Sequence, residues 1–393
     1  MNSNINTLIK SNSTLTLKLD TSINNIKGRY WINLRTMLFG VTDIRARVGT
    51  FSNPWSTESS DTYRVPPLIY INDKLKDIVD ARAVELNQYA KKTNKRILIQ
   101  WSGGIDSTLV LSAFIKNISA ADLLNVSVIL TLNSIIENYD FYCTQIAGKI
   151  SCINWLDIEI TDNVLRNNII LHGDPADCLF GPSISMYQSL MHDNTHLAPF
   201  KDNINLVART IDRSKLDVIN KYQIRGFGKW YAEKITDNLL EIAPDNIISI
   251  ADWWWWHYFN FKWQFSLSRP FLRRRTNGNE DVGLSPVLVT EFLETAFFNT
   301  DRFQQWSYSN LPYLVGNDIK NHKQEAKQYI YELDKNQKYL SCKTKVESMP
   351  VYDHGLVLNL RRPIMWDQQW KGYHTNYPDL LPTCVEHLEK YKG

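Results

Sequence analysis

Short apolar segments alternate with helical patterns between residues 96 and 173, and this alternation constrains the fold more than any other feature. The apolar segments have strand character and are RILIQW, VSVILTL, INWLDIEI and NNIILHG. The helical patterns DSTLVLSAFIKNI and NYDFYCTQIAGKI separate the first three of them. Strands that alternate with helices are typical of parallel sheets with right-handed crossovers. The sequence therefore predicts an α/β fold with a doubly wound parallel sheet, followed by a mostly helical C-terminal part.

The chain divides into two regions by composition. Residues 1–65 contain segments with β character and end in a linker rich in Ser, Thr and Pro. Residues 66–393 form the larger domain, with a sheet core over about 75–185 and a helical part over about 186–393. The helical part contains the segment DWWWWHYFNFKWQF. Consecutive residues of a helix point in different directions, so we expect most of these rings to pack inside the protein rather than to stack on bases.

The composition argues against several functional classes. The net charge of 44 − 41 = +3 is too small to indicate a nucleic-acid or membrane partner. The five cysteines form no C-x-x-C pair, which favours free thiols in a reducing compartment over a zinc site. No apolar run reaches the ~18 residues of a membrane span, and the first residues lack the apolar core of a secretory signal. A soluble, cytoplasmic protein is expected.

The first strand leads into the turn SGGIDST, which has the chemistry of an anion-binding loop. Gly103 and Gly104 allow backbone N–H groups to surround an anion, and the N-terminus of the next helix adds partial positive charge. Asp106 suits such a site if Mg²⁺ joins its carboxylate to phosphates, whereas the alternative is a helix cap. No Walker A pattern occurs, and RGFGKWY lacks the third small residue of a dinucleotide-binding fingerprint. The hydroxyl donors of the turn are Ser102, Ser107 and Thr108.

The turn SGGIDST resembles the signature loop of the N-type ATP pyrophosphatases, the PP-loop superfamily, whose fold is Rossmann-like. These enzymes cleave ATP between the α and β phosphates and activate a substrate as an adenylate. The segment HGDPADCLFG resembles S-G-E-G-[AS]-D-E-L-F-G-G-Y of the asparagine synthetase class. This resemblance implies that Gly173 belongs to the ATP site and that Asp177 shares the Mg²⁺-pyrophosphate with Asp106. It also implies that Asp174 replaces the catalytic glutamate, which acts as general base toward the amine.

Two later segments resemble the same family less closely. LSPVLVTEFLETAFF resembles a P-F-L-D-x-x-F segment, with Val287 and Val289 in place of its Phe and Asp. YLSCKTKVESMP resembles the segment of the catalytic lysine, and it aligns Lys343 with an arginine and Lys345 with that lysine. By the resemblance, Lys345 stabilises the charge that builds up at the α-phosphate. The catalytic turn departs from the family pattern at Asp174, Pro175 and Cys178.

The resemblance implies an ATP-dependent amide-forming ligase, similar to asparagine synthetase, with ATP and Mg²⁺ as cofactors. A carboxylate, by default aspartate, would be adenylated with release of pyrophosphate, and ammonia or another amine would then displace AMP. Asparagine synthetases carry an N-terminal glutaminase with a cysteine nucleophile, whereas here Asn2 follows Met1 and the first cysteine is Cys143. We therefore expect free ammonia, another amine, or a glutaminase partner acting in trans. The alternatives are a β-lactam or macrolactam cyclase, an adenylating enzyme of RNA modification, and a non-catalytic ATP-binding subunit.

Overall fold

The structure, a computed structural model, describes most of the chain after residue 65. The described residues are 66–158, 160–180, 195–214, 226–242, 245–263, 266–267, 285–314, 323–343, 383, 385–387 and 390. The N-terminal region 1–65, for which the sequence predicts strands and a linker, lies outside them. Lys345 also lies outside them.

Among the described residues, four parallel strands form one sheet. They are β1 (Arg96–Gln100), β2 (Val126–Leu130), β3 (Ser151–Asn154) and β4 (Asn168–Leu171). Their spatial order is β3–β2–β1–β4, so β1 lies between β2 and β4. All five residues of β2 are buried, as a strand in the interior of a parallel sheet requires. The structure confirms the expected α/β class with an all-parallel sheet and mostly helical content.

Helices account for most of the other described residues. In chain order they are α1 (Leu75–Thr93), α2 (Ile105–Asn117), α3 (Ala120–Leu123), α4 (Leu132–Glu137), α5 (Tyr139–Phe141), α6 (Asp162–Asn167), α7 (Ala176–Leu179), α8 (Ile204–Ser214), α9 (Phe227–Ile242), α10 (Ile250–His257), α11 (Pro286–Thr295), α12 (Asp301–Leu314), α13 (Gln324–Asp334) and α14 (Gln337–Cys342). Two π-helical segments, Tyr142–Ile146 and Tyr258–Lys262, continue α5 and α10. Within the described ranges, no helix has the length and apolar character needed to cross a membrane.

The chain forms two compact units, each built from several stretches of sequence. The sheet unit comprises the described residues of Tyr70–Ala176, Glu291–Trp306 and Asp318–Gly393. The helical unit comprises those of Met1–Ile69, Asp177–Thr290 and Ser307–Asn317. In the sheet unit, α2 follows β1 and packs against α1 and α13.

The tryptophan-rich segment forms the core of the helical unit. Ser249 and Asp252 form a capping box at the start of α10, which carries the four consecutive tryptophans. All four are at most 1% exposed, so the expectation that these rings pack inside is confirmed. Two indole N–H groups donate to side-chain oxygens, from Trp253 to Thr236 (3.0 Å) and from Trp255 to Ser307 (2.9 Å). These two indole N–H groups therefore keep a hydrogen-bond partner although their rings are buried.

Two predicted elements differ from the observed ones. The strand expected over INWLDIEI begins earlier, at Ser151, and ends at Asn154, where a 3₁₀ turn (Trp155–Asp157) begins. The register explains this end, because Asn154 pairs with Leu130, the last residue of β2. Residues beyond Asn154 therefore have no neighbouring strand residue to pair with. The helix expected over 138–150 is α5 followed by a π-helical segment.

Candidate functional site

The strand order places the two glycine-containing turns side by side. The chain runs from β1 outward through β2 to β3, and then returns to the other side of β1 as β4. This is a topological switch point, and ligands of open α/β sheets bind at the carboxyl ends of strands at such points. Ile99 near the end of β1 pairs with Leu171 at the end of β4. The turns that begin at Trp101 and His172 therefore leave the sheet at one edge and next to each other.

The first turn needs glycine at residue 103 for two reasons. Gly103 has φ +77°, a conformation that side-chain-bearing residues rarely adopt. A Cβ at this position would also lie 2.5 Å from the carbonyl oxygen of Ser134 and 2.7 Å from Cβ of Glu137. Both contacts belong to α4, which follows β2. The loop after β1 is therefore pressed against the helix after the neighbouring strand.

Hydroxyl groups tie the first turn to the start of α2. The backbone N–H of Ser102 donates to Oγ of Ser107 (3.0 Å), and the two hydroxyl oxygens are 2.9 Å apart. Gly104 is the N-cap residue of α2, and Asp106 lies in the first turn of the helix, so Asp106 is not the cap. The hydroxyl of Thr108 is fully buried and accepts a hydrogen bond from Nε1 of Trp101 (3.0 Å). The side chain of Thr108 therefore joins the end of β1 to α2.

The second turn touches the first at Gly173. A Cβ on Gly173 would lie 2.6 Å from the backbone nitrogen of Ser107 and 2.9 Å from Cβ of Asp106. Only a glycine allows so close an approach of the turn after β4 to the N-terminus of α2. The structure thus brings SGGIDST into contact with Gly173, near the start of the segment HGDPADCLFG.

Asp106 forms an ion pair with Lys323, a residue that sequence analysis missed. Nζ of Lys323 lies 2.6 Å from Oδ1 and 2.5 Å from Oδ2 of Asp106. The lysine side chain is 2% exposed and the carboxylate 19%. Lys323 has φ +53° and is the N-cap residue of α13. No local pattern in the sequence marks this lysine, because its partner lies 217 positions away.

A second buried lysine lies beside the same loop. Lys343 at the end of α14 is ion-paired with Glu137, the residue whose Cβ packs against Gly103. The Lys343 side chain is 1% exposed. Burial raises the pKa of the nearby Tyr339 hydroxyl well above its ordinary value, and the charges of Asp334, Glu137 and Asp106 raise it further. Tyr339 and Lys343, which belong to the described part of the segment YLSCKTK, therefore lie at this end of the sheet.

Asp174, the predicted general base, lies in the turn after β4 and is 38% exposed. Oδ2 of Asp174 is 4.0 Å from Nδ1 of His172, whose side chain is 3% exposed. The His172 ring stacks on Phe292 of α11 with ring centroids 5.7 Å apart. The segment LSPVLVTEFLETAFF is thereby in contact with the second turn. Val289 of that segment is buried, whereas Val287 is exposed.

Asp177, the second predicted metal ligand, belongs to the helical unit. Its Oδ2 lies 3.7 Å from Nζ of Lys262, and both side chains are 21% exposed. The ammonium group of Lys262 also lies 4.6 Å from the ring centroid of Tyr258. A sequence signal existed for this lysine, because it is the one charged residue within the aromatic run YFNFKWQF. Such a charge needs an anionic or aromatic partner once the run is buried.

The oxygen donors around Asp106 are suited to Mg²⁺. Mg²⁺ is usually held by one or two carboxylates together with substrate phosphates and water, rather than by a cage of protein ligands. Among the described residues there is no group of three or more His, Cys, Asp or Glu side chains that could hold a metal. A carboxylate in the first turn of α2, beside two glycines and two hydroxyls, matches the substrate-assisted type of site. Asp106 would hold the ion there, and the ion would neutralise phosphate charge.

Comparisons of the chain with protein-family models, curated proteins and solved structures gave no match.

Proposed function

We propose that this protein is an ATP-dependent, AMP-forming carbon–nitrogen ligase of the PP-loop type, similar to asparagine synthetase. It adenylates a carboxylate, by default aspartate, and transfers the acyl group to ammonia or another amine. The Rossmann-like PP-loop fold type is part of this proposal. A cytoplasmic location, where ATP is abundant, fits it as well.

The contact between Gly173 and the Asp106–Ser107 backbone supports this proposal most directly. It joins the two turns whose sequences resemble the ATP pyrophosphatases, at the switch point of a parallel sheet. A glycine turn at an ordinary helix start needs neither a second glycine turn beside it nor a buried lysine on its aspartate. Both features are found here.

The proposed chemistry has two steps. A carboxylate oxygen of the substrate attacks the α-phosphorus of ATP. The bond from the α-phosphorus to the oxygen that bridges it to the β-phosphorus breaks, and pyrophosphate leaves with that oxygen. The amine then attacks the acyl carbon, and AMP leaves with the bonding electrons. Ser102, Gly103, Gly104, Ser107 and Thr108 bind the pyrophosphate, and Gly173 belongs to the same ATP site. Asp106 and Asp177 provide the carboxylates for Mg²⁺. Lys345 stabilises the charge at the α-phosphate, and Asp174 accepts the proton of the attacking amine.

The test is a screen of amino acids and amines for ATP-dependent release of pyrophosphate, with AMP and ADP separated by chromatography. We expect AMP and pyrophosphate in equal amounts with at least one carboxylate substrate, and mass spectrometry should identify the amide. Formation of ADP and phosphate only, across the whole screen, would contradict the proposal. Pyrophosphate release that requires added tRNA would instead identify the enzyme as one of RNA modification.

A further inference from the structure

The ion pair between Lys323 and Asp106 occupies the carboxylate that a metal ion would need. The single ammonium group lies within 2.6 Å of both carboxylate oxygens. A divalent cation cannot use either oxygen fully while the ammonium group remains there, because the two cations repel each other. Metal binding at Asp106 therefore requires Lys323 to leave.

A lysine that leaves this carboxylate needs another anion. Its side chain is 2% exposed, and an unpaired buried charge is strongly unfavourable. The neighbouring carboxylate, Glu137, already accepts the buried ammonium group of Lys343. The glycine loop contains Asp106 and touches Glu137 at Gly103, and it has the chemistry of an anion-binding loop, so an anionic ligand of that loop would supply a new partner for Lys323.

We propose that Lys323 couples the binding of a divalent cation to the binding of a polyphosphate. Without ligand, Lys323 neutralises Asp106 and weakens the binding of free metal. When metal and polyphosphate bind together, the metal takes Asp106 and Lys323 pairs with phosphate oxygens. This inference rests on the proposed function only in taking the ligand to be a metal–polyphosphate. In the helical unit, Lys262 lies near Asp177 at the longer distance of 3.7 Å, so we expect the same effect there to be weaker.

The test compares two titrations of the full chain by calorimetry, one with Mn²⁺ alone and one with Mn²⁺–pyrophosphate. Mn²⁺ shares the preference of Mg²⁺ for oxygen ligands. We expect Lys323→Met to bind free Mn²⁺ roughly 10-fold more tightly than the wild type, and Mn²⁺–pyrophosphate roughly 10-fold more weakly, as the loss of a charged hydrogen bond predicts. A merely structural role for Lys323 would weaken both.

Three further variants complete the experiment. Lys95→Met breaks another buried lysine pair, with Glu291 (2.6 Å), at the start of β1, and should leave both titrations unchanged. Lys323→Gln removes the charge but retains a hydrogen-bond donor for Asp106, so it replaces Lys323→Met if that variant does not fold. We expect it to shift the two affinities in the same opposite directions. Asp106→Asn should abolish binding of free Mn²⁺ by the Lys323→Met protein. If folded Lys323 variants bind free Mn²⁺ as the wild type does, or more weakly, the proposal is overturned. This outcome does not depend on whether the protein forms AMP, which tests the proposed enzymatic activity separately.

Discussion

At the residue scale, the site depends on backbone conformation as much as on side-chain chemistry. Gly103 and Gly173 allow three chain segments, the turns after β1 and β4 and the helix α4, to meet without side chains between them. Around these glycines the charges are paired, Asp106 with Lys323 and Glu137 with Lys343. The loop is therefore in close contact with α4 and with the turn after β4, and a ligand would exchange ion-pair partners rather than create a charge.

The close contact at Gly103 can be separated from its backbone conformation by a matched pair of variants. Gly148 has a similar φ, +70°, but a Cβ there would have no atom within 4 Å. Gly148→Ala should cost about 1 kcal/mol of unfolding free energy, the conformational cost alone. Gly103→Ala should cost clearly more, because Ser134 and Glu137 must also move. Urea unfolding of both variants measures the difference, and equal costs would show that the contact with α4 is unimportant.

One exchange assay distinguishes the proposed roles of Asp106, Lys345 and Asp174. Asp106→Asn and Lys345→Ala should reduce substrate-dependent exchange of labelled pyrophosphate into ATP, by roughly 10²–10³-fold for the loss of one electrostatic contact. Asp174→Asn should retain exchange but lose amide product, because Asp174 accepts the proton of the amine only after adenylation is complete. Amide formation by Asp174→Asn at the wild-type rate would exclude the general-base role. Exchange by Asp106→Asn within about threefold of the wild type would exclude Asp106 from the chemistry.

At the scale of elements, one buried arginine holds α1 to the end of α11. Arg82 donates to the backbone carbonyl oxygens of Glu294 (2.8 Å), Ala296 (3.1 Å) and Phe297 (3.2 Å). These carbonyls lie at or beyond the C-terminus of α11, where helices leave such groups without partners. The arginine thereby supports Phe292 of the same helix, which stacks on His172.

Replacement of Arg82 should therefore destabilise the protein far more than replacement of an exposed arginine. We expect Arg82→Ala to lower the unfolding free energy by at least about 2 kcal/mol, since buried carbonyls lose a charged donor. Arg302→Ala is the control, because its ion pair with Asp73 (2.6 Å) is half-exposed and should contribute at most about 1 kcal/mol. Chemical denaturation of both variants gives the comparison, and similar losses would contradict the capping role.

The elements that could be predicted from the sequence are those defined by local pattern. β1, β2 and β4 are apolar runs between turn residues, and α2 shows helical periodicity, so the positions of these four elements agree with expectation to within two residues. The end of β3 could not be predicted, because it is set by the length of its neighbour β2. The same limit applies to the site. The glycines and Asp106 lie in a recognisable local pattern, whereas Lys323 pairs with Asp106 through tertiary structure alone.

At the scale of the whole molecule, His257 makes stability depend on pH. It is buried among the tryptophans of the helical unit, and its Nε2 is hydrogen-bonded to the hydroxyl of Tyr231. Burial, and secondly the positive charge of Lys262, lower the pKa of His257 to about 3 from an ordinary value of 6.5. Between these pH values the unfolded chain binds a proton at His257 that the folded protein does not. The contribution of His257 to the unfolding free energy is therefore fully present above pH 6.5. It is lost progressively as the pH falls toward 3.

This effect should be visible in acid unfolding. One such group contributes a slope of up to ~1.4 kcal/mol per pH unit. The double variant Tyr231→Phe, His257→Phe removes the titrating ring and its hydroxyl partner together, so it should flatten the dependence of the unfolding free energy on pH between 4 and 6. Equal slopes for the wild type and the double variant would show that His257 does not control acid stability.

The strand order also has a consequence for how the molecule folds. β1 pairs with β2 across 126 − 97 = 29 residues of chain, but with β4 across 168 − 96 = 72 residues. The longer loop costs more entropy to close, so we expect β4 to join the sheet after β1 and β2 have paired. Because the two glycine turns meet only when β4 is in place, binding competence should be the last property that the sheet acquires. A ligand of this site would then mainly slow unfolding rather than speed folding.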